Sequence, residues 1–341
     1  MTREEFTKIA AGYPHLRIAV VGDFCLDRYL EIDPARSETS IETGLPVHNV
    51  TNVRYQAGGA GTILNNLAAL GVGEIIPIGF CGDDAEGHEL HLALNKLPGI
   101  NLNHFLCTPE RRTFTYCKPL ICQPGKPPEE LNRLDFKNWE PTPDFVTDVM
   151  IDSLQTVVSE VEAVIALDQV DVPDTGVIVP RLLKALGTVS RRHSDNLFIG
   201  DSRQGLANWP DICFKMNATE FAREAESNDN SLDQILRQLE ATAATLTQPR
   251  FVTLSENGIA VATPQGELTH LSALPSGPRI DIVGAGDAVT ANLAACIAAG
   301  GSVHDAARIA NHAASIVIHK LGTTGTASVS EIGDSITKTS E

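Results

Sequence analysis

Asp281-Ile-Val-Gly-Ala-Gly-Asp287, continuing as Ala288-Val-Thr-Ala-Asn-Leu-Ala-Ala-Cys-Ile-Ala-Ala-Gly300, decides how this chain is read. Two glycines form a tight turn that opens into an apolar, alanine-rich helix. Asp287 falls in the first turn of that helix. Amide N–H groups at a helix start lack partners within the helix and form an anion site. A carboxylate beside them is placed to take a proton next to a bound phosphate. A plain glycine turn with an acid that suits the helix dipole is the bland alternative. Asp281 upstream and the small-residue helix downstream favour chemistry, with Gly284, Ala285, Gly286 and Asp287 as the catalytic group.

Working outward, apolar runs alternate with helical patterns. Leu16-Arg-Ile-Ala-Val-Val-Gly-Asp23 reads as a buried first strand ending in an acid. Gly58-Gly-Ala-Gly61 leads into a helix over Thr62–Leu70, closed by Gly71. Further strands are read at 75–79, 161–167, 197–201, 212–216 and 251–255. Helices are read at 84–97, 177–186, 232–246 and 303–320. Gly258–Thr263 and Leu268–Leu271 form an antiparallel hairpin. Alternation of this kind gives an α/β fold with a mostly parallel central sheet flanked by helices. Residues of about 29–53 and 104–136 break the alternation and read as a small β-sheet lid inserted in a single domain spanning 1–341. The last dozen residues read as frayed.

The net charge of −17 argues against nucleic acid or an anionic membrane surface as partner. No apolar run approaches the roughly 20 residues of a membrane span. The start of the chain lacks the apolar core of a secretion signal. Seven scattered cysteines without a Cys-x-x-Cys pair fit a reduced, cytoplasmic protein.

Other motifs carry two readings each. In Asn217-Ala-Thr-Glu220, Asn217 and Glu220 make a helix capping box or, at a phosphate site, a water-mediated Mg2+ contact. Asp23 and Asp27 cap a loop or accept from sugar hydroxyls. Gly58 and Gly59 make a permissive turn or approach a substrate; they fit neither a dinucleotide fingerprint nor a phosphate-binding Gly-Lys-Ser/Thr loop. Arg111, Arg112, Lys118, Lys126 and Arg133 are a solvated face or an anion site. His193, His312 and His319 show no ligand spacing and read as ordinary surface or core residues.

Together these motifs resemble the ribokinase, or PfkB, family of ATP-dependent carbohydrate kinases, over about Arg17–Ser328. Asp281-x-x-Gly-Ala-Gly-Asp287, Gly58-Gly with its helix, Asn217-x-x-Glu220 and Thr253-Leu-Ser-Glu-Asn-Gly258 carry the likeness. Within the family the chain looks most like the kinases that phosphorylate heptose 7-phosphate at its anomeric hydroxyl. Val20–Tyr29, Leu131–Phe136 and Ala310–Ala314 through Lys320-Leu-Gly-Thr323 carry that finer likeness. It departs from them at Thr62, where the family has Asn, and in Leu167–Gly176, which lacks a Tyr and a Lys. No His-x-Gly-His occurs, so the nucleotidyltransferase half of bifunctional members is not expected in this stretch.

The resemblance implies a ribokinase-like fold and a sugar or sugar-phosphate substrate. It implies ATP and Mg2+ as cofactors, with K+ as the monovalent cation. It assigns Asp287 as base, and Asp23, Asp27, Gly59, Asn66, Gly58 and Lys118 to the substrate. Asn217, Thr253, Ser255, Glu256, Gly258 and Asn311 frame the nucleotide. Glu220 meets Mg2+ through water, and Asp281 with Val317 and Gly322 holds the monovalent cation. It implies a homodimer through the lid. The alternatives are a kinase for another sugar, sugar phosphate or nucleoside, and a non-catalytic sugar or nucleotide sensor on the same fold.

Overall fold

A computed structural model describes residues 1–340 except Ser276, Pro278 and Thr323. Thr323, part of the finer likeness, lies outside the described residues. In chain order the elements are α1 (Arg3–Ala10), β1 (Arg17–Gly22), β2 (Phe24–Ile32), β3 (Glu38–Thr39), β4 (Pro46–Val47), β5 (Val50–Gly59), α2 (Ala60–Ala69), β6 (Glu74–Gly82), α3 (Ala85–Asn95), β7 (Phe105–Thr108), β8 (Phe114–Ile121), β9 (Glu129–Glu130) and β10 (Leu134–Phe136). They continue as α4 (Asp144–Val157), β11 (Ala163–Asp168), α5 (Pro180–Arg192), β12 (Leu197–Ser202), β13 (Cys213–Asn217), α6 (Ala218–Glu224), α7 (Leu232–Ala243), β14 (Arg250–Thr253), β15 (Ile259–Ala262), β16 (Leu268–Leu271), α8 (Ala285–Ala298), α9 (Val303–Val317) and α10 (Val329–Ser340).

The main sheet runs β16-β15-β14-β13-β12-β11-β1-β6-β7. Its pairs from β7 through β14 are parallel, and the hairpin β15–β16 closes one edge in antiparallel pairing. A parallel strand is buried on both faces and must be apolar on both. In β1, Ile18 and Val20 join one core while Ala19 and Val21 join the other. The first core takes residues from α1, α2, α3, α8, α9 and α10, and the second from α4, α5, α6 and α7.

The lid is a second sheet, β10-β8-β2-β5, with β9 beside β8. Two junctions aim it over the carboxyl ends of the main strands. β1 runs through Asp23 straight into β2, and β5 ends at Gly59 where α2 begins. The lid therefore starts at Phe24 rather than near 29 and extends to Gly59. Phe105–Thr108 belongs to the main sheet, in register with Gly79–Gly82.

The frayed C-terminus is corrected. Residues 329–340 form α10, which packs on α1; Ile332 is wholly buried and Ile336 nearly so, and Arg3 pairs with Asp334 at 2.8 Å. A polar helix with only a narrow apolar stripe resembles a tail in sequence. Ile332→Ala is expected to cost about 2–4 kcal/mol, the range for emptying a buried aliphatic site. Thermal or urea unfolding measures it, and a loss under about 0.5 kcal/mol, as at a free surface position, means that the helix is not docked.

Candidate active site

The site forms where α8 begins. Gly284 has φ +81° and caps the helix in the left-handed region, which favours glycine. A Cβ there would stand 3.3 Å from the methyls of Thr62 and Thr324. The turn closes by Ala285 N–H donating to Ile282 O at 3.2 Å. That engages the first amide of the helix start. The amides of Gly286 and Asp287 make no bond among the described residues and remain for a ligand.

Five other acids surround Asp287 or line the same strand ends, and each is occupied. Asp23, 1% exposed, accepts from Gln169 N at 2.8 Å, Val170 N at 3.1 Å and Val177 N at 2.6 Å. Asp168 accepts from Ser202 Oγ at 2.7 Å. Asp201 accepts from Lys215 Nζ at 2.8 Å and Thr290 Oγ1 at 3.0 Å. Asp27 pairs with Lys118 Nζ at 2.7 Å. Glu220 Oε2 accepts from Asn217 N at 2.7 Å. Of these six acids, the Asp287 carboxylate alone has no hydrogen-bond or ion partner among the described residues.

Electrostatics follow from this crowding. Burial pushes the Asp287 carboxyl up to about 7, and repulsion from Asp201 and Asp27 adds to it, against the pull of Lys215 and Arg203. Burial beside Asp23 raises Asp168 to about 7 as well. Burial would lower Lys118, but the Asp27 carboxylate more than offsets it and the ammonium ends above its usual range. A carboxyl that titrates near neutrality and is bonded to nothing is suited to take a proton.

The residues assigned to the sugar separate into two groups. Register sets Cys25 opposite Gly58 and Asp27 opposite Gln56. A Cβ on Gly58 would meet Asp27 Oδ2 at 2.6 Å and Cys25 Sγ at 2.8 Å, so only glycine lets β5 lie over these groups. Asp27, Lys118, Gly58 and Gly59 thus share one wall of the cleft. Asp23 and Asn66 do not join them. Asp23 is consumed in holding the loop 169–177. Asn66, fully buried on α2, donates to Thr62 O at 3.0 Å and faces the protein interior. Thr62 is the residue of that helix which reaches the Gly284 turn.

The nucleotide set falls at the ends of β13 and β14, where Asn217 pairs with Thr253. Asn217 and Glu220 form a complete capping box. One oxygen of Glu220 stays outside it, which fits contact with a metal through water. Among the described residues no three His, Cys, Asp or Glu gather to hold a metal directly. Ser255, with φ +52°, Glu256 and Gly258 make the turn into β15. Asn311 donates to Ser272 O at 2.8 Å and His319 accepts from Gly277 N at 3.1 Å, so both pin the segment after β16. Asp281 accepts from Val283 N at 3.1 Å and Gly322 N at 3.2 Å, joining the two turns assigned to a cation, and Val317 O accepts from Lys320 N at 2.9 Å.

The basic set of the lid is largely spent. Arg111 is buried and donates to Glu140 O, Pro141 O and Thr175 O; Arg133 grips Asp135 at 2.7 Å and stacks on Tyr116; Arg112 stacks on Phe136. Arg203 and Lys215, which belong to no motif of the sequence, also reach the site, and Asp201 joins them from the end of β12. Arg203 is exposed at the end of β12 and its charge reaches Asp287, Glu220 and Tyr116. Lys215 was legible as a charge inside the apolar strand Cys213-Phe-Lys-Met, where burial demands a partner.

Comparison with known proteins draws on the same residues. Residues 189–329 match the sequence profile described as pfkB family carbohydrate kinase. The bifunctional protein HldE of Coxiella burnetii (strain RSA 331 / Henzerling II) is 33% identical over 315 residues, 91% of this chain and 62% of that protein. HldE of Bradyrhizobium sp. (strain ORS 278) is 27% identical over 321 residues, 94% of this chain and 63% of that protein. Residues 189–329 thus carry the pfkB carbohydrate-kinase profile, and both relatives align with nearly the whole chain. It spans under two thirds of the length of these relatives. Phosphofructokinase-2 from Escherichia coli in complex with substrates and products superposes with a TM-score of 0.73 at 15% identity, over 96% of this chain and 100% of that one. Arabidopsis thaliana ribokinase complexed with ribose and ATP gives 0.67 at 20% identity, over 95% and 98%. These likenesses establish the ribokinase-like α/β fold.

The raised Asp287 has a consequence for stability. Its folded value lies above the unfolded one, so between about pH 4 and 7 the native state binds the extra proton and stability falls as pH rises. Asp287→Asn removes that cost. The variant is expected to unfold at higher denaturant than the parent at pH 8, by on the order of 1–3 kcal/mol, with the gap gone near pH 4. Equal stability at both pH values would place Asp287 in an ordinary aqueous setting.

Proposed function

We propose that this chain is an ATP-dependent sugar kinase that transfers the γ-phosphoryl group to a hydroxyl of a sugar or sugar phosphate, with Asp287 as the base. The observation that carries the reading is a carboxylate without a partner among the described residues, raised to about 7, beside two free amides at the start of α8. Phosphoryl transfer passes through a loose transition state, so positioning and charge neutralisation do most of the work. The Gly286 and Asp287 amides receive the transferring phosphoryl oxygens. Asp27, fixed by Lys118, orients the acceptor, and Asp287 takes its proton. Mg2+, when bound, neutralises phosphate charge, and Asn217 and Glu220 meet its water shell. K+ beside Asp281, Val317 and Gly322 would brace the turn that carries the amides. The lid over the cleft excludes water, which competes as acceptor. We further propose one kinase domain, acting in the cytoplasm as a homodimer through the lid. Among the described residues no helix is long and apolar enough to cross a membrane.

Heptose 7-phosphate is the first acceptor to try, because of the resemblance at Val20–Tyr29 and the relatives named HldE. One observation favours a different acceptor. The lid's basic groups are mostly neutralised by Asp27, Asp135 and backbone carbonyls, which leaves less charge for a second phosphate. Coupled ADP release across sugars and sugar phosphates decides between them. Tight sugar binding with no turnover on any member would make the protein a sensor instead.

Asp287→Asn is expected to lower kcat by at least a hundredfold, within the range for losing a general base, while ATP affinity changes little. Retention of a tenth of the parent rate takes Asp287 out of the base role. Gly58→Ala is expected to raise the acceptor KM about tenfold or more, within the roughly hundredfold that a 1 Å misplacement can cost, with the ATP KM unchanged. Equal effects on both substrates would locate Gly58 in the scaffold rather than at the acceptor.

A further inference from the structure

Lys215 has no part in the mechanism above, yet it sits against the anion site. β12 and β13 are parallel with Gly200 opposite Phe214, which brings Asp201 alongside Lys215. Both side chains are 7% exposed and meet at 2.8 Å. Thr290, one turn into α8, donates to the same Asp201 oxygen. Lys215 Nζ lies 3.0 Å from the point where a Cβ on Gly286 would stand. The ammonium therefore touches the helix start whose amides are free.

Two features set this pair apart from a structural ion pair. A buried pair of charges gives a fold little that apolar residues of the same volume would not. An ammonium has three donors, and among the described residues Lys215 uses one, on Asp201. The lysine stem is flexible and its charge is compact, so it moves between neighbouring anions at small cost. Asp201 keeps the Thr290 hydroxyl when the lysine leaves.

We propose that Asp201 holds Lys215 in a parked position and that Lys215 transfers to the terminal phosphates of ATP when the nucleotide binds. This rests on the phosphoryl-transfer reading of the same site. The parked pair keeps an otherwise unpaired buried cation neutralised in the empty cleft. The transferred lysine brings a positive charge to the Gly286 and Asp287 amides as charge shifts on the γ-phosphoryl group. Burial would lower the ammonium, but Asp201 offsets that, with Glu220 and Asp287 adding to it, so the group stays charged in the parked state.

The pair is broken from each end and nucleotide affinity is read by calorimetry, with β,γ-imido-ATP and AMP as probes. Asp201→Asn leaves the lysine charged and removes its competitor, so it is expected to bind β,γ-imido-ATP at least threefold more tightly. Lys215→Met is expected to bind it at least tenfold more weakly, and AMP, which lacks the terminal phosphates, equally well in both. The double variant, which leaves no buried charge unpaired, is expected to match Lys215→Met and supplies the comparison if the single change fails to fold. Weaker binding by Asp201→Asn and Lys215→Met alike, or unchanged binding by both, overturns the transfer and leaves the pair structural. A parent protein that binds neither probe overturns the phosphoryl-transfer reading along with it, so the two failures are distinct.

Discussion

Helix α8 opens onto the cleft because Gly284 turns the chain at φ +81° in a space bounded by Thr62 and Thr324. The constraint is steric, and much of the site depends on it. A side chain here would meet two threonine methyls and sit in strained backbone. The turn spends the first amide of the helix on itself and delivers the next two, with Asp287, into the cleft. Behind it, Ala288 through Cys296 are all buried. The alanines among them let α2 and α8 lie close, and Thr62 in the first turn of α2 reaches the Gly284 turn.

Acids gathered at strand ends create the second constraint. Each desolvated carboxylate costs free energy unless something donates to it. The fold supplies three backbone amides for Asp23, a hydroxyl for Asp168, an ammonium and a hydroxyl for Asp201, and an ammonium for Asp27. These acids are thereby fixed as scaffold or as rigid acceptors. Asp287 is left without a donor, and its proton affinity rises in consequence. Reactivity at this site is what remains when the neighbouring charges have been compensated.

Much of the main sheet was legible because parallel strands buried on both faces are continuous apolar runs, as in Ile18–Val21 and Ala163–Leu167. The α8 turn was legible because glycines and an acid at a helix start have few other uses. Other features were hidden for physical reasons. β2 carries Asp27, Arg28 and Glu31, whose charges look like a loop until β5 and β8 flank it. Asp23 reads as a ligand because its three donors lie about 150 residues along the chain. Asn66 reads as polar and available, whereas the helix turns it inward. Only Lys215 was within reach of sequence argument, since a lysine in a buried strand requires a counter-charge.

The two walls of the cleft rest on different supports. Asp287, Asp201, Lys215 and Asn217 stand on the nine-stranded sheet and α8, packed on both sides. Asp27, Lys118 and Gly58 stand on a five-stranded sheet whose outer strands β5 and β10 have exposed residues along them. The second sheet is nonetheless tied to both cores, since Phe24, Leu26 and Ala57 belong to the first and Cys25 and Phe114 to the second. Asp23 ties the two walls together. It ends β1, begins the turn into β2, and grips the loop 169–177 through both carboxylate oxygens. Asp27 and Asp287 are thus held by different walls, which this residue joins. On the proposed function, acceptor specificity would rest on the lid and Thr62, and phosphoryl transfer on the packed sheet and α8.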